Sequence, residues 1–127
     1  MKTLVIGGYA QGKLAYVKQQ FDLSEYEQYD RVLPVSGTGG KNILIDHLHL
    51  WVKKQLEEQN DPETALRTFL EKQTNWILIS DEVGNGIVPM DTLEREYRER
   101  TGRMLITVAQ QADEVIRVVC GIGQKLK

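Results

Sequence analysis

Lys2-Thr3-Leu4-Val5-Ile6-Gly7-Gly8-Tyr9-Ala10-Gln11-Gly12-Lys13-Leu14 is the stretch that decides the fold. Residues 2–6 are a short apolar run rich in strand formers. Lys13 to Phe21, with Leu14, Val17 and Phe21 on one side, has the spacing of a helix. Between them, Gly7, four residues and Gly12-Lys13 match the phosphate-cradling P-loop up to its final position. Glycines let backbone N–H groups turn toward phosphate oxygens, the helix N-terminus adds partial positive charge, and the lysine adds a full one. Gly7, Gly8, Tyr9, Ala10, Gln11, Gly12, Lys13 and Leu14 are therefore the candidate nucleotide-binding residues. The final position holds Leu14 instead of a Ser or Thr hydroxyl, and an isobutyl group cannot coordinate a hard cation such as Mg²⁺. The loop would then handle metal poorly, or through a carboxylate from elsewhere. The competing reading is a plain Gly-Gly turn with Lys13 solvated.

Working outward, Asp22 to Asp30 reads as a connector with at most one helical turn. Arg31 to Val35 reads as a second strand, near an edge because of Pro34. A glycine-rich turn, 36–40, follows. Leu44, Leu48, Trp51/Val52 and Leu56 keep a helical spacing, so mostly helix is expected from about Lys41 to Glu58, although Ile43-Leu44-Ile45 could be a brief strand. Asp61-Pro62 is a good N-cap and first helical residue for a helix to about Lys72.

Trp76-Ile77-Leu78-Ile79 is apolar without alternation, as in a parallel strand covered on both faces. Asp81 and Glu82 stand at its C-terminal end, where P-loop proteins keep a metal-holding carboxylate. Asp91 and Glu94 open a long helix to about Ala112, and Glu114 to Val119 is the last strand before a glycine-bearing tail. Strands alternating with helices predict one α/β domain over residues 1–127: a three-layer, mainly parallel sheet with flanking helices, its first strand running into the P-loop-like turn. Its ligand rim lies beyond the strand C-termini, where 7–13, 36–40, 80–89 and 121–125 are the candidates.

Sixteen basic and eighteen acidic residues, net charge −2, give no sign of a nucleic-acid-binding face. No run approaches a membrane span, no signal-like stretch opens the chain, and the single cysteine fits a reducing compartment, so a cytoplasmic protein is expected. Cys120, in the apolar run Val118-Val119-Cys120, reads as a buried inert thiol.

Glu82-Val83-Gly84-Asn85-Gly86-Ile87-Val88-Pro89, Tyr97-Arg98, Gly102-Arg103, Ala112-Asp113-Glu114-Val115 and Val118-Val119-Cys120-Gly121-Ile122 carry a resemblance. Together they resemble the adenosylcobinamide kinase/adenosylcobinamide-phosphate guanylyltransferase family. The resemblance implies a RecA-like P-loop fold and phosphorylation of the aminopropanol hydroxyl of adenosylcobinamide from ATP or GTP, in cobalamin synthesis, by a homo-oligomer, commonly a trimer. It also implies GMP transfer through a guanylylated histidine. Gly7, Gly8, Gly12 and Lys13 would hold nucleotide phosphates, and Glu82 would be the acidic group at the reacting end, making Lys13, Asp81 and Glu82 the catalytic candidates. Relative to typical members the chain lacks the segment bearing that histidine, which makes guanylyl transfer the less expected half. His47 and His49 are the histidines that could take its place. Asp81 stands where members usually have Asn, and could restore the metal ligand lost at Leu14. The alternative is a catalytically degenerate nucleotide- or phosphate-binding regulator or scaffold.

Overall fold

The structure, a computed structural model, describes residues 1–34, 42–83 and 91–127. Six strands form one sheet: β1 (Lys2–Gly7), β2 (Tyr26–Asp30), β3 (Asn42–Asp46), β4 (Trp76–Asp81), β5 (Glu114–Val119) and β6 (Ile122–Lys125), in the order β2-β3-β4-β1-β5-β6. All neighbours pair in parallel except β5 with β6. Four helices accompany them: α1 (Lys13–Gln20), α2 (Leu48–Glu57), α3 (Pro62–Glu71) and α4 (Thr92–Gln111).

Two apolar cores explain the unbroken apolar runs. On one face, Leu4, Ile43, Ile45, Trp76 and Leu78 pack with residues of α2, α3 and α4. On the other, Val5, Leu44, Ile77 and Ile79 pack with Val17 of α1. Successive side chains of a strand alternate between faces, so a sheet covered twice needs apolar residues at every position. That is why residues 43–45 form a strand and not the first turn of a helix. The helical spacing from Leu44 onward joins two different elements, and α2 starts only at Leu48, after His47 turns the chain with φ 55.

Two further expectations need correction. The second strand is 26–30, and residues 31–34 of the expected one are not strand, Val35 lying outside the described residues: Tyr26 packs on one core and Tyr29 on the other, whereas Arg31 has φ 65 and Pro34 offers no N–H. The tail is a strand as well. Cys120 (φ 50) and Gly121 (φ 75) are the two loop residues between paired Val119 and Ile122, so both central residues of this tight hairpin sit at positive φ. Cys120 is consequently exposed at a turn, not buried.

The starts of α3 and α4 behave as their sequences predict. Asp61 accepts from the Thr64 N–H ahead of Pro62, and Asp91 accepts from the Leu93 N–H. Among the described residues no helix is long and apolar enough to cross a membrane.

Candidate functional site

The parallel strands β1, β3 and β4 end on the same rim, and a cavity of about 690 Å³ opens there. Its walls come from residues 9–14, the ends of β3 and β4, and the facing sides of α2 and α4.

The loop from β1 to α1 is tightly built. A methyl group added at Gly7 would stand 2.5 Å from the Val118 carbonyl oxygen, so only glycine fits without moving backbone. Gly12 caps α1 with φ 84, a left-handed conformation that costs a residue with a side chain roughly 1–2 kcal/mol. The hairpin turn braces the loop from behind, as Gln11 accepts the Cys120 N–H through its side chain (2.7 Å) and the Gly121 N–H through its carbonyl (2.8 Å). Tyr9 stands 87% exposed at the mouth.

Lys13 points into the cavity and is buried. Its Nζ donates to the Gly8 carbonyl at 2.7 Å and lies 2.6 Å from Asp81 Oδ1. The solvated lysine of the competing reading is not what the fold contains. Asp81 closes β4 directly opposite Gly7 in the sheet register. Its other oxygen, Oδ2, is 3.3 Å from His49 Nε2, and its backbone N–H donates to His49 Nδ1 at 3.0 Å. Burial pushes the His49 pKa down to about 4, against the pull of the neighbouring Asp81 carboxylate.

Glu82 also lines the cavity, but its carboxylate is paired with Arg117 of β5, at 3.2 Å to Nε. The Lys13–Asp81 pair and the Glu82–Arg117 pair are therefore separate, and sequence proximity overstates the kinship of the two acids. Leu14 lies on the cavity wall and presents only hydrocarbon.

Asp46 is the residue that sequence reasoning misses. It ends β3 as Asp81 ends β4, is buried, and faces the cavity. Burial raises its pKa, and the charge of Lys13 works the other way. Its Oδ1 accepts the His47 N–H at 2.8 Å, and its Oδ2 lies 3.3 Å from His47 Nδ1. His47 Nδ1 is also 2.6 Å from Asp30 Oδ1. Asp30, Asp46 and His47 thus each offer a donor atom within 4.8 Å of the others. The run Ile43-Leu44-Ile45-Asp46 has the same form as Ile77-Leu78-Ile79-Ser80-Asp81, an apolar strand ending in an acid, and that likeness is the signal that could find it.

The sequence reading names Glu94, Tyr97 and Arg98 but gives them no place in the site, where they form the far wall. Lys53 of α2 lies 5.4 Å from the centre of the Tyr97 ring and 3.4 Å from Glu94, with Arg98 beside them. The rim candidates 36–40 and 84–89 lie outside the described residues.

Residues 15–126 match the family model for cobinamide kinase / cobinamide phosphate guanyltransferase (CobU). The chain belongs to that family. The CobU match begins two residues after Lys13, so the loop's assignment rests on its own residues. Curated relatives include the bifunctional adenosylcobalamin biosynthesis protein CobU of Salmonella typhimurium, 49% identical over 51 residues, 40% of this chain and 28% of that protein. The Escherichia coli CobU is 47% identical over the same length. The bifunctional adenosylcobalamin biosynthesis protein CobP of Pseudomonas aeruginosa is 30% identical over 94 residues, 69% of this chain and 54% of that protein. The chain therefore spans from about a quarter to about half the length of these relatives.

Proposed function

We propose that this CobU-family chain is a P-loop nucleotide-dependent kinase of RecA-like type acting on adenosylcobinamide, with ATP or GTP as phosphoryl donor. The observation that carries the reading is Lys13. It emerges from a glycine-framed loop at the head of α1 and lies buried in a cavity shared with two strand-end carboxylates. A buried lysine at a helix N-terminus, on a glycine-framed loop, suits a polyanion.

The nucleotide phosphates would occupy the loop, with Lys13 moving from Asp81 onto them. Phosphoryl transfer asks mainly for positioning and charge neutralisation, which the loop and lysine supply. The acceptor hydroxyl would approach from the wall of Lys53, Tyr97 and Arg98. The donor set around the loop fits Mg²⁺ in kind, since the carboxylates are hard oxygen ligands. Glu82 is tied to Arg117, and Asp81 to Lys13 and His49, so Asp46 is the first candidate to hold the metal. Asp81 would join it only after Lys13 has left. When bound, the metal neutralises phosphate charge.

Guanylyl transfer is not part of the proposed activity. Of the two histidines, His49 has both ring nitrogens committed to Asp81, which leaves His47 as the one placed to meet a nucleotide. The proposal includes a cytoplasmic homo-oligomer, a trimer by family resemblance, with no nucleic-acid or membrane partner. β6, whose Ile122 is 72% exposed, offers a sheet edge for assembly. One observation favours the second reading, a degenerate nucleotide-binding scaffold: Leu14 gives the metal no hydroxyl.

The test is calorimetric titration of ATP and GTP, with and without Mg²⁺, into wild type and Lys13→Ala. Micromolar binding that depends on Lys13 and tightens with Mg²⁺ is expected, followed by phosphorylation of adenosylcobinamide. Absence of binding by either nucleotide would overturn the proposal, and binding without phosphoryl transfer would favour the scaffold.

A further inference from the structure

His49 spends all of its polar capacity on one residue. It is the second residue of α2 and only 5% exposed. Its Nδ1 accepts the Asp81 backbone N–H at 3.0 Å, and its Nε2 lies 3.3 Å from Asp81 Oδ2. A backbone N–H can only donate, so Nδ1 must carry the lone pair and the ring proton belongs on Nε2, facing the carboxylate. The imidazole is neutral in a single tautomer and grips both the main chain and the side chain of Asp81. The other carboxylate oxygen of Asp81 is 2.6 Å from Lys13 Nζ, which also donates to the Gly8 carbonyl. A continuous line of polar contacts therefore runs from α2, across the end of β4, to the loop. A leucine would fill similar space without removing two ring nitrogens from water. It could not fix the orientation of a carboxylate.

We infer that His49 is a positioning residue for the loop lysine. It holds Asp81 in the orientation that presents Lys13 at the loop mouth, and it keeps Asp81 fixed when Lys13 turns to phosphate. The inference rests on the reading of the loop as a nucleotide-phosphate site. It concerns how effectively Lys13 acts and assigns His49 no contact with the nucleotide.

The test is a coupling cycle read by calorimetry with ATP or GTP. Lys13→Ala is introduced into wild type, into His49→Leu and into His49→Gln. Glutamine carries an acceptor oxygen and a donor nitrogen on one planar amide, so it can reproduce both hydrogen bonds without an imidazole. In wild type, Lys13→Ala should weaken nucleotide binding about 100-fold, the scale expected when a charge-assisted hydrogen bond is removed from a partly buried site. In the His49→Leu background the same change should cost less than about tenfold, because an unanchored Asp81 no longer aims the lysine. The full penalty should return with His49→Gln. If His49→Leu does not fold, His49→Asn, whose shorter amide cannot span both groups of Asp81, carries the same expectation. Nitrogen-15 spectra of the imidazole supply an independent signature: wild type should show the Nε2–H tautomer. A Lys13→Ala penalty equal in all backgrounds, or an Nδ1–H tautomer, overturns the inference while leaving the phosphate site standing. A Lys13→Ala change without effect in wild type overturns the site reading itself.

Discussion

His49 also makes the stability of the fold depend on mild acid, in a way that can be worked out in advance. Its pKa falls from 6.5 in the unfolded chain to about 4 in the fold, chiefly because burial disfavours the imidazolium. Lys13, Arg31 and His47 push in the same direction, and Asp81 opposes them. Between those two values the unfolded chain binds the proton and the folded chain does not, so stability is fully present above pH 6.5 and drains away as pH falls toward 4. At 1.36 kcal/mol per tenfold change in proton affinity, the whole effect is about 3 kcal/mol, of which about 2 kcal/mol is lost by pH 4.5. Asp46 has the opposite sign: burial raises its pKa, so its folded form gains protons first and recovers some stability at the acid end. Asp22 and Asp61, held below the usual carboxylate value by their hydrogen bonds to Ser24 and Thr64, act only further into acid. The difference between wild type and His49→Gln isolates the imidazole from all of these. Urea unfolding at pH 7, 5.5 and 4.5, followed through the buried Trp51 and Trp76, should show wild type losing about 2 kcal/mol more than the glutamine variant. Curves that stay parallel within about 0.5 kcal/mol would refute the claim that a neutral imidazole is buried against Asp81.

Three other outcomes are expected. Gly7→Ala should destabilise by about 1–3 kcal/mol and weaken nucleotide binding, because the new methyl meets the Val118 carbonyl at 2.5 Å; Gly123→Ala meets the half-buried Tyr16 ring, a side chain that can rotate where a carbonyl cannot, and should cost less than Gly7→Ala in the same denaturation assay. Arg100→Ala should cost about 1–2 kcal/mol, since its guanidinium forks onto Glu63 at 2.7 and 2.5 Å and ties α3 to α4; Arg100→Lys should recover less than half of the loss, and added salt should shrink the difference. Asp46→Asn should reduce the Mg²⁺-dependent tightening of nucleotide binding by about tenfold or more while leaving metal-free binding little changed, measured by titration at fixed and varied Mg²⁺.

The parts of this fold that are legible in the sequence are those where one element carries its own signal. β4 reads correctly because five consecutive buried positions leave no helical alternative of that length between its flanking polar residues. α3 and α4 read correctly because Asp61-Pro62 and Asp91 mark their starts chemically. β2 escapes sequence reading because half-buried edge strands need few apolar residues, and Tyr26 and Tyr29 look like part of a polar connector. β6 escapes it because its existence depends on pairing with β5 across a two-residue turn, a long-range gain that four mostly exposed residues do not advertise. In the site, loop spacing marks Lys13 and the end of an apolar strand marks Asp81 together with Glu82; of the two acids it is Asp81 that meets the lysine. His49 reads from sequence only as a stand-in nucleophile, and no local pattern indicates that its ring closes on a residue 32 positions away.

The identity of β3 has the larger functional consequence. A helix from residue 41 would carry Asp46 away from the rim, whereas a strand delivers it to the same edge as Asp81, next to β4 in the parallel register. The site then has two strand-end carboxylates with different duties. Asp81 is saturated by a lysine and an imidazole, so its charge is already balanced within the chain itself. Among the described residues Asp46 is met by the backbone N–H and ring of His47, and burial leaves its carboxylate above its ordinary pKa. On the proposed reading, a hard ion arriving with nucleotide phosphates would reach Asp46 without displacing Lys13. At Asp81 it would have to displace Lys13. If the nucleotide brings Mg²⁺ as proposed, Leu14 takes one ligand from the loop and leaves Asp46 as the carboxylate best placed to receive the ion.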